Sequence, residues 1–524
     1  MTQSPLYICK NGLAASLAGL LLLAAGCKKT LNYTPEVFVA QPQVFKDQAG
    51  ATAAVTGIYT QLQTLKKSDY ALIGIVGTDE ARCTYQSQGY GDYYQNITGL
   101  DVYDLKFGSQ NYQVSGFWQD CYVGIANANS AILGIPGATI ADPSVKNRLL
   151  GESKFMRALF YFYLVQLYGD IPLRLESTPF SAGVKRTPAK DVYAQIVDDL
   201  KFAIANCWAR SKNPDIGRAS VEAAKALLGK VYLTTADYTD ARTMFEDLIS
   251  SNSLTLLADY TQLFDGQHEN NAESLFEIQY STDPNNTQGL QNLFGSYAGP
   301  GIPGETFNTH TPGYGGTVVT TTAYYSDTLF DQTNDKRYLA SIWPHRYDGS
   351  GNTMDWWVDP GLPTIKKYDI SSSDIDVYNS GKNEYYLRAS DVYLMYAEVL
   401  NELGQTTPAL VPLNKVRNRA GLDNLEVVLG SVPTQTALRA ELLDERMREL
   451  GGEGWRWFDL KRTGTLVARV QLHDNPRAHY VPINGDGDPH PAQNISAHNT
   501  LYPIPLAELQ TNSALSLTDQ NPGY

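Results

Sequence analysis

The sequence predicts a mostly α-helical protein in which tetratricopeptide-like helical hairpins form a scaffold and a loop-rich stretch forms one face. Three observations carry this. Apolar residues recur at helical spacing through most of the 524 residues. Between Ser220 and Ser250, Leu228-Gly229-x-x-Tyr232 followed by Ala241-x-x-x-Phe245 matches the tetratricopeptide pattern. From about Asp259 to Asn383 the helical period gives way to Gly, Pro, Thr, Asn and Tyr.

The chain begins with an apolar run that ends in Leu23-Ala24-Ala25-Gly26-Cys27 before Lys28-Lys29. The run is shorter than the ~20 residues a spanning helix needs, and small residues stand where a signal peptidase would cut. Residues 1–26 therefore match a bacterial lipoprotein signal, although Lys10 is the only positive charge ahead of the apolar run; the alternative is a buried N-terminal helix. On the signal reading Cys27 becomes the lipid-bearing first residue and residues 27–43 an extended tether. Acyl chains hold a water-exposed body on a bilayer at ~0.8 kcal/mol per buried CH2.

A helix is expected from about Val44, with Phe45, Ala49, Ala53, Ile58, Tyr59 and Leu62 on one stripe. A Gly/Tyr/Gln-rich stretch follows from Gly77 to Leu100, and then a helix carrying Phe117, Trp118, Tyr122, Ile125, Ala126 and Asn129. Glu152 to Tyr168 is nearly continuous in aromatic and aliphatic residues and stops at Gly169-Asp170-Ile171-Pro172. In the tetratricopeptide-like pair, small Gly229 and Ala241 permit close approach while Tyr232 and Phe245 fill the gap; Lys225 stands where the pattern prefers Trp. Asp391 to Leu403 and Pro408 to Arg419 repeat the layout more loosely. Hairpins of this kind stack side by side. The intervening stretch reads as long loops with short strands such as Ser274 to Ile278. The expected divisions are 44–258, 259–383 and 384–524, together forming one compact unit.

Composition narrows the function. The formal charge is −14, and loss of residues 1–26, which hold one lysine and no acid, leaves −15. Phosphate binding needs clustered Lys and Arg, so nucleic acid is not an expected partner. Beyond Cys9 and Cys27 only Cys83, Cys121 and Cys207 remain, with no metal-binding spacing, so neither a disulfide framework nor a cysteine metal site is expected. The 34 tyrosines are more telling, because a phenol offers a flat apolar face and a hydroxyl that suit a sugar ring. Most of them will pack between helices, so only a cluster in a loop counts.

Six motifs then appear in order: Trp118, Tyr122 and Asn129; Gly151-Glu152-Ser153-Lys154-Phe155-Met156-Arg157-Ala158 leading to Tyr168-Gly169-Asp170-Ile171-Pro172-Leu173; Leu387-Arg388 with Leu394-Met395-Tyr396-Ala397-Glu398; Leu413 to Gly421; Glu445-Arg446 and Glu449-Leu450 with Glu453-Gly454-Trp455-Arg456-Trp457-Phe458-Asp459; and the terminus Gln520-Asn521-Pro522-Gly523-Tyr524. With the lipobox at Cys27, the chain resembles the SusD/RagB-type outer-membrane lipoproteins of Bacteroidetes from Cys27 to Tyr524. The resemblance implies a protein on the outer face of the outer membrane that captures glycans, or in some cases peptides, caps a SusC-type TonB-dependent transporter, and is not an enzyme. It also places Arg157, Asp170, Glu445, Arg446, Trp455 and Asp459 in the helical scaffold, where guanidiniums pair with carboxylates and stack on indoles. No cofactor is expected.

Candidate ligand contacts follow from position and chemistry. Asp79, Arg82, Tyr85, Tyr90, Tyr93 and Tyr94 offer a carboxylate, a guanidinium and four phenols after the first helix. Asp79 and Arg82 have a second reading, as an ion pair that orders the loop. A second group, Tyr314, Tyr324, Tyr325, Trp343, Trp356 and Trp357, lies in the loop-rich middle; adjacent Trp356 and Trp357 in an extended segment would face opposite ways.

Catalytic signals are weak. Gly299-Pro300-Gly301-Ile302-Pro303-Gly304 fits G-x-G-x-x-G literally, but its prolines obstruct the strand and helix that a dinucleotide site needs. Asn484, Asp486 and Asp488 open like a calcium loop, yet Pro489 and Ile495 replace the turn Gly and the final Glu, so a polar turn is expected and no metal. A surface glycoside hydrolase remains the alternative, since the spacing of two carboxyl groups across a cleft is not legible here.

Overall fold

A computed structural model describes residues 41–67, 72–83, 91–176, 183–281, 292, 294–295, 318–344, 363–369, 380–474 and 491–524. The fold is mostly helical, as the periodicity predicts. Its main helices are α1 (Gln48–Lys67), α2 (Gly91–Val102), α3 (Tyr112–Gly134), α4 (Pro143–Tyr168), α5 (Ala189–Asn206), α6 (Val221–Thr234), α7 (Tyr238–Ser250), α8 (Ala389–Glu402), α9 (Thr406–Arg419), α10 (Gln435–Leu450), α11 (Arg456–Arg462) and α12 (Leu466–Leu472). They pack as a run of neighbours, α1 on α3, α3 on α4, α4 on α5, α5 on α6, α6 on α7, α7 on α8, and α8 on α9 and α10.

Local chemistry sets the helix ends. Asn111 caps α3 by accepting from the N–H groups of Gln113 and Val114, and Asp142 with Pro143 opens α4. Ser220 caps α6, and Asp237 caps α7. Gly169, at φ 73°, ends α4 in a conformation that a side chain would resist.

Close approach is built on glycine. A Cβ on Gly229 would stand 2.4 Å from the Phe245 ring, and one on Gly124 2.4 Å from Phe160. The tetratricopeptide-like pair is thus held by the residues that define its pattern. Lys225, in the place of Trp, pairs with Asp247 instead of filling the groove. One apolar cluster runs from Phe45 to Leu509 through these helices.

Some expectations need correcting. The extended stretch expected up to about Pro42 gives way at Gln41 to a short helix, Gln41–Val44, which admits Pro42 because it lies in the first turn. The buried stripe of α1 is Ala51, Val55, Ile58, Leu62 and Leu65, whereas Ala49 and Ala53 are exposed. The Gly/Tyr/Gln-rich stretch contains α2, whose Ile97 and Leu100 are buried; burial overrides the poor helix propensity of its Gly and Tyr residues.

The scaffold motifs interlock. Arg157 of α4 forks onto Asp199 of α5 at 2.7 and 2.8 Å and donates to Asn129 of α3 at 2.8 Å. Tyr122 donates to the Pro172 carbonyl, and Asp170 accepts from the Ala189 N–H at the start of α5. Asn521 donates to the carbonyls of Tyr168 and Tyr502, which fastens the C-terminal motif to the end of α4. Glu445 accepts from Arg337, Arg417 and Arg448, and Arg446 bridges Asp391 and Asp459. Trp455 is buried, with the Lys230 ammonium 3.0 Å from its ring centroid. All six motif residues are in the frame.

Among the described residues, four two-stranded pairs decorate it: β1 (Ala81–Cys83) with β5 (Val319–Thr321), β2 (Ile171–Pro172) with β3 (Arg186–Thr187), β4 (Ser274–Ile278) with β8 (Glu384–Arg388), and β6 (Ile342–Trp343) with β7 (Thr364–Ile365). Pairing of β4 with β8 joins the start of the loop-rich stretch to the helices after it.

Candidate functional site

Arg82 lies in the β1–β5 ribbon, against which the helix that carries Tyr93 and Tyr94 packs. The ribbon's antiparallel register sets Ala81 opposite Thr321, Arg82 opposite Thr320 and Cys83 opposite Val319. β1 forms here because Ala81 and Cys83 alternate inward onto an apolar cluster with Ile97 of α2, Val319 and Ile365. Pro363 extends the ribbon sideways, its carbonyl accepting from the Thr321 N–H at 3.0 Å and the Thr320 hydroxyl at 2.8 Å. From Pro363 the chain enters β7, which pairs with β6.

Arg82 ties this ribbon to two other segments. Its guanidinium donates to Asp101 at the end of α2 (2.9 Å) and to Asp474 after α12 (3.1 Å). Cys83, Val318, Pro344 with Pro363, and Asp474 are thus gathered around one structure. These are the described residues next to segments 84–90, 296–317, 345–362 and 475–490. Tyr85, Tyr90, Tyr314, Trp356 and Trp357 belong to those segments and lie outside the described residues, as do Cys27, the glycine-rich 299–304 and the acidic 484–488. Tyr93 and Tyr94 fall in the first turn of α2, which packs on β1.

Asp79 is not a ligand contact. It is 1% exposed, accepts both Arg456 Nε and Nη2 at 2.7 Å and takes a third bond from Arg469 Nε at 2.7 Å. Nor does it pair with Arg82, since each has its own buried partners. Burial alone would raise the Asp79 pKa, but the two guanidiniums outweigh it and hold the group at about 2. Its neighbour Glu80 is equally buried and takes the Gly452 N–H at 2.6 Å; desolvation dominates there and lifts it to about 8. Tyr325 is also corrected: it is fully buried, in an apolar cluster with Phe330 and Met447.

What faces solvent is Tyr324. Its half-buried ring stacks on His473, centroids 3.6 Å apart and planes 23° apart, and the Arg469 guanidinium lies 4.9 Å from its centroid. Burial, followed by the charge of Arg469, holds His473 below its ordinary pKa, so the imidazole is neutral at neutral pH. Trp343, also half-buried, has Lys366 4.4 Å from its ring centroid. Sequence reading missed His473 and Arg469, because α12 carries no motif and reaches the ribbon only through tertiary packing. Among the described residues no group of His, Cys, Asp or Glu is arranged to hold a metal, and no helix is long and apolar enough to cross a membrane.

Comparison with known proteins matches two family models: the SusD family over residues 265–524, and a family described as starch-binding and associating with the outer membrane over residues 53–233. SusD-like protein P25 of Formosa agariphila is 27% identical over 96% of this chain and 98% of its own length. The starch-binding protein SusD of Bacteroides thetaiotaomicron is 23% identical over 72% of this chain and 73% of its own. Among solved structures, a laminarin-binding SusD-like protein aligns over 92% of this chain and all of its own, with a TM-score of 0.74 and 26% identity. A SusD homologue from Bacteroides thetaiotaomicron, at 23% identity, shares the fold with a TM-score of 0.77, covering 92% of this chain and 98% of its own.

Proposed function

The chain belongs to the SusD/RagB family, and from that premise we propose that it is a non-catalytic surface lipoprotein that captures glycan and caps a SusC-type TonB-dependent transporter for import. Cys27 carries the lipid, and the body sits on the outer face of the outer membrane. The observation that carries the reading is the gathering of Cys83, Val318, Pro344, Pro363 and Asp474 around one ribbon, beside the half-buried Tyr324–His473 stack. Loops rooted on a rigid frame are the usual carriers of binding residues. The sequence segments that continue from this ribbon hold Tyr85, Tyr90, Tyr314, Trp356 and Trp357, rings suited to the apolar face of a sugar.

Binding without turnover fits the acids nearby. Among the described residues, Asp79, Asp101, Asp444 and Asp474 are each engaged by arginine, and Glu80 is buried, so none of these five stands as one of two opposed carboxyl groups across an open cleft. Relatives named for starch and laminarin support glycan as the ligand class.

Calorimetry of the mature protein against a panel of glucans, other neutral glycans and peptides tests this, repeated with Tyr93→Ala and Trp356→Ala. Binding of a glycan, weakened in at least one variant and without release of reducing ends, is the expected result. Release of reducing ends overturns the non-catalytic reading, and binding of peptides alone replaces the ligand. Copurification with a barrel transporter, and mass spectrometry of residue 27, test the partner and the anchor.

A further inference from the structure

A cleft of about 360 Å3 opens on the helical side of the molecule, between the segment joining α5 to α6 and the segment entering β4. None of the described residues that line it belongs to the ribbon described above. Its volume is at the small end of ligand pockets, which run ~300–1,000 Å3, and suits a single ring.

Its polar groups are unevenly matched. Arg218 is held on three sides, donating to Asp215 at 2.8 Å, Glu152 at 2.9 Å and Thr56 at 2.9 Å. Glu277 is turned to other partners: both carboxylate oxygens accept the Asn270 N–H, at 3.0 and 2.9 Å, and one also accepts the Asn383 amide at 3.0 Å. The Arg210 side chain is exposed, reaching the carbonyls of Asn271 and Ala272 at 3.4 and 3.5 Å; among the described residues it makes no ion pair within 4 Å, although its charge acts on Glu277 and Glu222 accepts its backbone N–H at 2.9 Å. Asn213 uses its side-chain oxygen on the Asp215 N–H, while its amide nitrogen is buried with no acceptor. At the rim, Ile216 is 74% exposed.

The cleft therefore presents a guanidinium fork held only by two long carbonyl contacts, with an unpartnered amide nitrogen buried in its wall and an apolar side chain at its rim. A planar carboxylate matches a guanidinium through two parallel hydrogen bonds. We propose that this cleft binds the carboxylate of a uronic acid ring, Arg210 forking onto it, Asn213 donating to it and Ile216 covering the ring face. The acidic net charge does not forbid this, because local potential governs a site. Choice of a sugar acid rests on the glycan reading above; choice of a carboxylate rests on the cleft alone.

Ligand-observed NMR with glucuronate, galacturonate and glucose on the mature protein tests the proposal. At least one uronate binds and glucose does not. Arg210→Gln weakens that binding about tenfold or more, the loss of one charge-assisted bidentate contact, and Asn213→Ala weakens it less. Equal binding of glucose, no uronate binding, or uronate binding indifferent to Arg210→Gln overturns the proposal. If neutral glycans still bind after such a failure, this inference falls alone. If neutral glycans fail while a uronate binds through Arg210, the cleft stands and the aromatic face loses its assignment.

Discussion

Arg456 grips Asp79 through two 2.7 Å hydrogen bonds although 377 residues separate them in the chain. The pair joins the start of α11 to the segment that enters the ribbon, and Arg469 adds a third bond that reaches the Tyr324 stack. A buried charge network thus sets the seat of a half-buried ring.

Removing the carboxylate takes the close ion-pair partner from Arg456, 1% exposed as a side chain, and leaves it the Leu443 carbonyl and Asp444 at 4.0 Å, while Arg469 keeps Asp444 at 2.6 Å. Breaking a buried pair from one side costs ~3–5 kcal/mol. Asp79→Ala is expected to lose stability of that order in urea unfolding. A loss below about 1 kcal/mol, the range of exposed pairs, would return Asp79 to the list of surface contacts.

Glu80 sets a pH dependence of opposite sign to that of its neighbour. Folded Glu80 keeps its proton up to about 8, against 4.5 for an ordinary glutamic acid, so between those values folding takes up a proton. Its contribution to stability is complete below 4.5 and falls as pH rises to about 8, by at most ~1.4 kcal/mol per pH unit. Asp79 and Glu445, held at about 2 in the fold, lose their contribution as pH falls below the ordinary carboxylate range toward 2. Unfolding free energies at pH 5 and 8 should differ less in Glu80→Gln than in the wild type. An unchanged difference would place the titration elsewhere.

How much was legible follows from how local each cause is. The hairpin of α6 and α7 is readable because Gly229, Tyr232, Ala241 and Phe245 meet each other, and α4 is readable to its last residue because Gly169 and Pro172 stop it. The scaffold role of Glu445, Arg446 and Asp459 is readable from residue type. The partner Arg337 is not, since it comes from the loop-rich stretch 108 residues away. α2 hid behind Gly91, Tyr93 and Tyr94 because burial of Ile97 and Leu100, not propensity, stabilises it. Asp79 misled because a carboxylate between Thr78 and Glu80 reads as a polar surface turn and gives no sign of a guanidinium hundreds of residues on.

Glycine spacing gives a paired test. Gly229→Ala puts a methyl 2.4 Å from the Phe245 ring, whereas Gly57→Ala in α1 meets nothing within 4 Å. Overpacking costs ~1–3 kcal/mol, and an unobstructed helical Gly→Ala gains ~0.5–1 kcal/mol. Thermal unfolding should therefore move down in the first variant and up in the second. Movement in the same direction would mean that the hairpin is not held by this contact.

Arg82 offers the sharpest test of the ribbon as the seat of the site. It joins β1 to Asp101 and Asp474, whose side chains are 0% and 4% exposed, so its loss takes a cation from two buried carboxylates and removes a link between β1 and the segment after α12. Arg82→Lys keeps the charge but replaces a planar fork with a single ammonium, which cannot bond both acids in the same geometry. Arg82→Ala should lose several kcal/mol of stability by the buried-pair argument. Arg82→Lys should stay folded with a smaller loss and bind glycan more weakly, because Tyr324, His473 and the neighbouring loop roots are no longer held in fixed relation. Calorimetry beside urea unfolding separates the two effects. Full affinity in a folded Arg82→Lys protein would show that the ribbon positions nothing that the ligand touches.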